Sequence, residues 1–152
     1  HRHFHPHRLA DVGMNGQIAS CTIATLAIES MLAHARSAAP HEACGLLLAR
    51  EGTIIDALAT RNVAAHPERS FEIDPAALLR THREARGRGE TVAGHYHSHP
   101  NNVVMPSATD AARAVEDGQI WLIVGSARVT AWRAMRGGAL HDRFAPVELV
   151  VV

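Results

Sequence analysis

The chain has 152 residues, enough for one domain with a real core, and is 47% hydrophobic and 20% charged, a globular rather than a disordered balance. Its formal net charge is +0, so no bulk electrostatic pull favours nucleic acid or an anionic membrane, and neither is expected as a partner. Lysine is absent, which excludes a lysine Schiff base, a lysine nucleophile and a P-loop lysine.

Two cysteines, Cys21 and Cys44, make no disulfide framework, and a reducing, cytoplasmic setting is the default. No apolar run approaches the length of a membrane span. Residues 1–13 lack an apolar h-region and are not a secretory signal. They carry His1, His3, His5 and His7 and read as a tag or disordered leader. Met14 is then the natural start, and 14–152 forms a single domain.

Ile18 to Ile23 reads as an edge strand. Thr22 to Arg36 repeats apolar residues at helical spacing, with Thr22 as N-cap and an end before Pro40. Gly45 to Ala49 is apolar on both parities, which suits a central strand covered on both faces. The Glu51-Gly52 turn leads to a returning antiparallel strand, Thr53 to Thr60. Asn62 to Ser70 is irregular, and Phe71 to Ile73 is a short strand. Asp74 caps a helix with Pro75 at its first position, running to about Arg86 before Gly87-Arg88-Gly89. Thr91 to His97 is the next strand. Ser107 to Val115 is a third helix, closed by Asp117-Gly118. Gln119 to Gly125 and Val129 to Met135 are strands, and Leu140 to Phe144 and Val147 to Val152 are two short closing ones.

The chemistry gathers between His95 and Asp110. His95, His97 and His99 alternate, so on an extended strand they share a face, neighbours lying roughly 6.6 Å apart. Adjacent pairs can chelate one ion; all three can do so only if the strand bends. Either His95/His97 or His97/His99 fits, and the second pair is preferred because it lies beside the loop and Asp110. Pro100 stops the strand. Ser107 is a helix N-cap and Asp110 the third helical residue, both favourable for structural reasons alone, yet a helix start can also aim an aspartate at a metal. Two imidazoles and a carboxylate are the ligand supply of a catalytic zinc site, which leaves a fourth position for water. Amide hydrolysis also needs a proton acceptor and donor. Glu42, just before the central strand, ranks slightly above a solvated loop glutamate for that role.

The set Glu42, His97-Ser98-His99-Pro100, Ser107 and Asp110 resembles the motif of the JAMM (MPN-plus) metallopeptidases. Seven residues, 100–106, separate His99 from Ser107, and Ala108-Thr109 separate Ser107 from Asp110, as in that motif. Pro40 to Leu47, Arg61-Asn62-Val63 and Phe71 to Pro75 resemble its other blocks, and the likeness runs from about Ile18 to the C-terminus. The resemblance implies an α/β MPN fold, a cytidine-deaminase-like mixed curved β-sheet flanked by helices. It implies one Zn²⁺ with a bound water on His97, His99 and Asp110, Glu42 as general base and acid, Ser107 as oxyanion donor, and Ser98 as a supporting residue. It implies cleavage of the amide bond after the C-terminal glycine of a ubiquitin-like or sulfur-carrier protein. Short stand-alone prokaryotic members are the most similar. About 140 residues from Met14 leave little room for large substrate-gripping insertions.

Three rival readings compete with this one. A zinc deaminase needs His-x-Glu and a later Pro-Cys-x-x-Cys, which the placement of Cys21 and Cys44 does not supply. A catalytically silent MPN scaffold for protein assembly would have lost the ligands that this chain keeps. Cys44 as nucleophile or redox sensor stands against its reading as a buried small residue at a strand start.

Overall fold

Residues 19–114 and 117–152 are described by the computed structural model; the expected tag or disordered leader at 1–13 and the expected start at Met14 lie outside them. Strand β1 (Ser20–Ile23) enters helix α1 (Thr25–Ala38). Strands β2 (Cys44–Arg50) and β3 (Thr53–Thr60) form an antiparallel pair across the Glu51-Gly52 turn. The positive φ of both turn residues is the backbone state that a tight two-residue turn demands. Helix α2 (Pro75–Gly87) begins as expected, with the Asp74 carboxylate accepting from the Ala76 N–H. Strand β4 (Thr91–Ser98), helix α3 (Ala108–Arg113), and strands β5 (Ile120–Val124), β6 (Val129–Ala134) and β7 (Phe144–Val151) follow.

The sheet order is β1-β3-β2-β4-β5-β6-β7, and β7 returns to β1, so the curved sheet closes on itself. Central β2 pairs antiparallel with β3 and β4, while β4 and β5 run parallel. This is the mixed α/β architecture expected. Alternation sorts the side chains. Leu47, Tyr96 and Leu122 join Ala27, Met31 and Ala35 of α1 in the larger core. On the other face, Cys44, Phe71, Trp121 and Phe144 make a second cluster. There Leu78 and His82 of α2 line a cavity with Leu46, His95 and Trp121.

Several expectations need correction. β1 is no edge strand: β3 and β7 flank it, both parallel. Thr22 belongs to that strand, pairing with Thr53 and Val150, so it caps no helix. α1 begins three residues later without a side-chain cap, because the Thr25 N–H and hydroxyl both donate to the Val152 carbonyl. Phe71 to Ile73 forms only an isolated bridge, Asn62 to Ile73; the Asn62 side chain occupies the Ser70 carbonyl and the Glu72 N–H that a ladder would use. α3 stops at Arg113, and Val115 lies outside the described residues. Of the two closing strands only the second forms, as β7 from Phe144 to Val151; Leu140 makes one isolated bridge to Phe144 across a turn. β7 tolerates Pro146 because that residue pairs only with β6, while β1 joins from Glu148 onward.

Candidate metal centre

Strand β4 presents His95 and His97 on the same face, but its strand geometry ends at Ser98. His99 is one step beyond, still tied to β5 through its N–H to the Val124 carbonyl. There the two nearer imidazoles meet: Nε2 of His97 and Nε2 of His99 are 3.0 Å apart. Asp110 meets both. Its Oδ1 lies 3.1 Å from His97 Nε2 and its Oδ2 3.1 Å from His99 Nε2. Ligand atoms of all three residues fall within 4.8 Å of one another, and all three side chains are buried.

The helix start aims the aspartate. Ser107 Oγ accepts from the Asp110 N–H at 3.0 Å, and the Ser107 N–H donates to Asp110 Oδ2 at 2.9 Å, a complete capping box. Ser107 therefore sits beside the cluster with its hydroxyl oxygen engaged as an acceptor and its proton available. Ser98 faces the other way, its Oγ accepting from the Ala43 N–H at 2.7 Å, which ties the Glu42 segment to β4.

The donor set fits a metal ion. His99 Nδ1 lies 2.6 Å from the Val103 carbonyl, so that nitrogen carries a proton, and in the neutral ring Nε2 is left to offer its lone pair. The Nε2 and carboxylate oxygen separations of 3.0–3.1 Å are near the ~3.3 Å between neighbouring ligands around a tetrahedral zinc.

Charge follows the burial. Asp110 is pushed up by burial, yet the hydrogen bonds from His97 and His99 outweigh this and hold its carboxyl well below the usual range. Burial drives His97 down against the pull of Asp110. For His99 burial also opposes the charge, but Asp110 and the Val103 carbonyl prevail and raise it. Glu42 is pushed up to about 7, by burial first, with Asp110 adding and His99 and Arg113 opposing. Its Oε1 is buried with no hydrogen-bond partner among the described residues. A carboxyl raised to about 7 within the field of His99 and Asp110 is suited to moving protons.

The structure thus brings His97, His99 and Asp110 together and puts Glu42 within the field of His99 and Asp110. His95 is not in the cluster. It packs edge-on to Trp121 at 4.4 Å, and burial with the His97 charge lowers it to about 3. Cys44 is buried, and burial raises its thiol, the reverse of what an activated nucleophile needs. Residues that local sequence did not point to are Phe71, Asn62 and the Val103 carbonyl. The family-like blocks contain the first two, but an aromatic stack and a fully bonded amide leave no local pattern.

Comparisons with known proteins follow the same line. A family model described as prokaryotic homologs of the JAB domain matches residues 26–136. A protein named Desampylase, from Haloferax volcanii, is 37% identical over 108 residues, 67% of this chain and 78% of that one. A CysO-cysteine peptidase from Mycobacterium tuberculosis is 31% identical over 102 residues, 65% of this chain and 68% of that one. Among solved structures, a JAB1/MPN domain protein from Archaeoglobus fulgidus matches with a TM-score of 0.56 over 86% of this chain and 98% of that one. At 19% identity, that is a likeness of fold alone.

Proposed function

The chain belongs to the family of prokaryotic homologs of the JAB domain, and on that premise we propose that it is a zinc-dependent peptidase or isopeptidase. Its substrate is a ubiquitin-like or sulfur-carrier protein, cut at the amide bond after the C-terminal glycine. The observation that carries this reading is the meeting of His97, His99 and Asp110 ligand atoms at one buried point, beside a Glu42 carboxyl raised to about 7. The substrate class rests on the relatives: one is named a Desampylase, the other for a cysteine joined to CysO.

In this proposal His97, His99 and Asp110 hold the ion. Zinc bound there would acidify a water and polarise the scissile carbonyl. Glu42 takes the water's proton and returns it to the leaving amine. The Ser107 hydroxyl, whose proton is not committed to the capping box, donates to the developing oxyanion. Asp110, kept ionised, balances the charge of the site. One domain over 14–152 carries the activity. A cytoplasmic location accompanies the proposal, supported by the two buried, unpaired thiols Cys21 and Cys44. Among the described residues no helix is long and apolar enough to cross a membrane.

The test uses a ubiquitin-like carrier joined through its C-terminal glycine either to a free amino acid or to a lysine side chain. Wild type releases the intact carrier from at least one of these and Glu42→Gln releases it from neither. Failure of the wild type on both, with zinc bound, would overturn the substrate assignment.

A further inference from the structure

The two imidazoles of the cluster are held in different ways. His99 has the usual outer hydrogen bond, from Nδ1 to the Val103 carbonyl. His97 has none: its Nδ1 is buried without a partner among the described residues, although its side chain is 0% exposed. Metal-binding histidines ordinarily rely on that second nitrogen to fix the ring.

Something else must set the plane of His97, and the Phe71 ring lies stacked on it, centroids 4.2 Å apart and planes 17° from parallel. Trp121 closes a second side edge-on at 5.8 Å. Phe71 is itself held at its own carbonyl and through both of its neighbours. The Arg113 guanidinium, on the helix that carries Asp110, donates to the Phe71 carbonyl. On either side of Phe71, the Asn62 amide donates to the Ser70 carbonyl at 3.0 Å and accepts from the Glu72 N–H at 3.1 Å. The same amide donates to the Glu42 carbonyl at 3.0 Å and accepts from the Ala64 N–H at 3.0 Å. All four of its hydrogen-bonding positions are used. The Glu42 N–H donates to the Pro67 carbonyl of the same loop at 2.7 Å.

We infer that Phe71 is a positioning residue that orients the His97 imidazole by stacking, in place of the missing outer hydrogen bond, and that the 61–73 loop thereby ties this ligand to the backbone of Glu42. The inference rests on the metal reading proposed above. It assigns the loop a duty beyond covering the sheet: a ring that rotates freely about its bond presents Nε2 to the ion only part of the time, and the stack removes that freedom.

The test measures zinc affinity by chelator competition in the full chain. Wild type is compared with Phe71→Leu, Phe71→Tyr and Phe144→Leu. Phe144 lies in the same cluster, fully buried against Trp121, so its truncation costs packing without touching His97. His1, His3, His5 and His7 are common to all four proteins. Phe71→Leu should weaken zinc binding about 10–100-fold, the usual effect of losing a ligand's outer support. Phe71→Tyr should restore wild-type affinity, and Phe144→Leu should lower the melting temperature while leaving affinity unchanged. Equal affinity in wild type and Phe71→Leu, or equal losses in Phe71→Leu and Phe144→Leu, would overturn the positioning role. A wild type that binds no zinc would overturn the metal assignment itself, a result distinct from either.

Discussion

Glu42 is fixed by its backbone and left alone at its carboxylate. Its N–H and carbonyl are held by Pro67 and Asn62, while Oε1 has no partner among the described residues. A buried acceptor without a donor costs stability, and in the proposed mechanism this oxygen would meet the water. Glu42→Gln keeps the shape but cannot accept a proton; kcat should fall about 10²–10⁴-fold with zinc content unchanged, as metal analysis beside the cleavage assay would read. The same carboxyl gives a pH signature. Its folded value is raised from 4.5 to about 7, so between these limits the folded chain keeps a proton that the unfolded chain has released. Stability from this group is full below pH 4.5 and is lost as pH rises through 7. In metal-free protein the melting temperature of wild type relative to Glu42→Gln should therefore fall from pH 4.5 to 7; a constant difference would remove the raised carboxyl from the account. The residue spacing from His97 to Asp110 was legible because one strand end, one loop and one helix cap are local features. The Phe71 stack was not, since it joins residues 26 positions apart.

Strands β4 and β5 form the parallel seam that carries His97 and leads directly into His99, and Gly94 sets how closely the two strands approach. A Cβ added at Gly94 would lie 2.0 Å from the Ile120 carbonyl oxygen, its partner in the parallel register. Gly94→Ala should cost about 1–3 kcal/mol or more, the range of overpacking, seen as a lower denaturant midpoint. An unchanged midpoint would mean that the seam is looser than this register requires. The central strand β2, the β2–β3 turn and the Asp74-Pro75 helix start were all readable, because apolar runs, turn residues and caps act within a few positions. The start of α1 was not. Thr22 offers a good capping hydroxyl, but its place between β3 and β7 wins, and the Val152 carbonyl, 127 positions from Thr25, receives the helix N-terminus instead. The short Phe71–Ile73 strand failed for a similar reason: one asparagine side chain took the groups that a ladder would have paired.

At the scale of the whole molecule, closure of the sheet joins the first and last described strands, β1 and β7, and makes β1 an interior strand. Periodicity can show that a segment is a strand but not which distant segment completes it, so closure lay beyond the sequence. The site needs that closure only indirectly. His97 comes from β4, His99 from the residue after its end and Asp110 from α3, with Glu42 on the approach to β2 and Phe71 in the loop after β3. The central claim is that this gathering holds one zinc ion. It is tested most directly by metal content per chain in protein beginning at Met14, which leaves out His1, His3, His5 and His7, with wild type measured beside His99→Ala. One zinc per wild-type chain and none in His99→Ala is the predicted result. No metal in either protein after zinc is supplied, or equal metal in both, would contradict it.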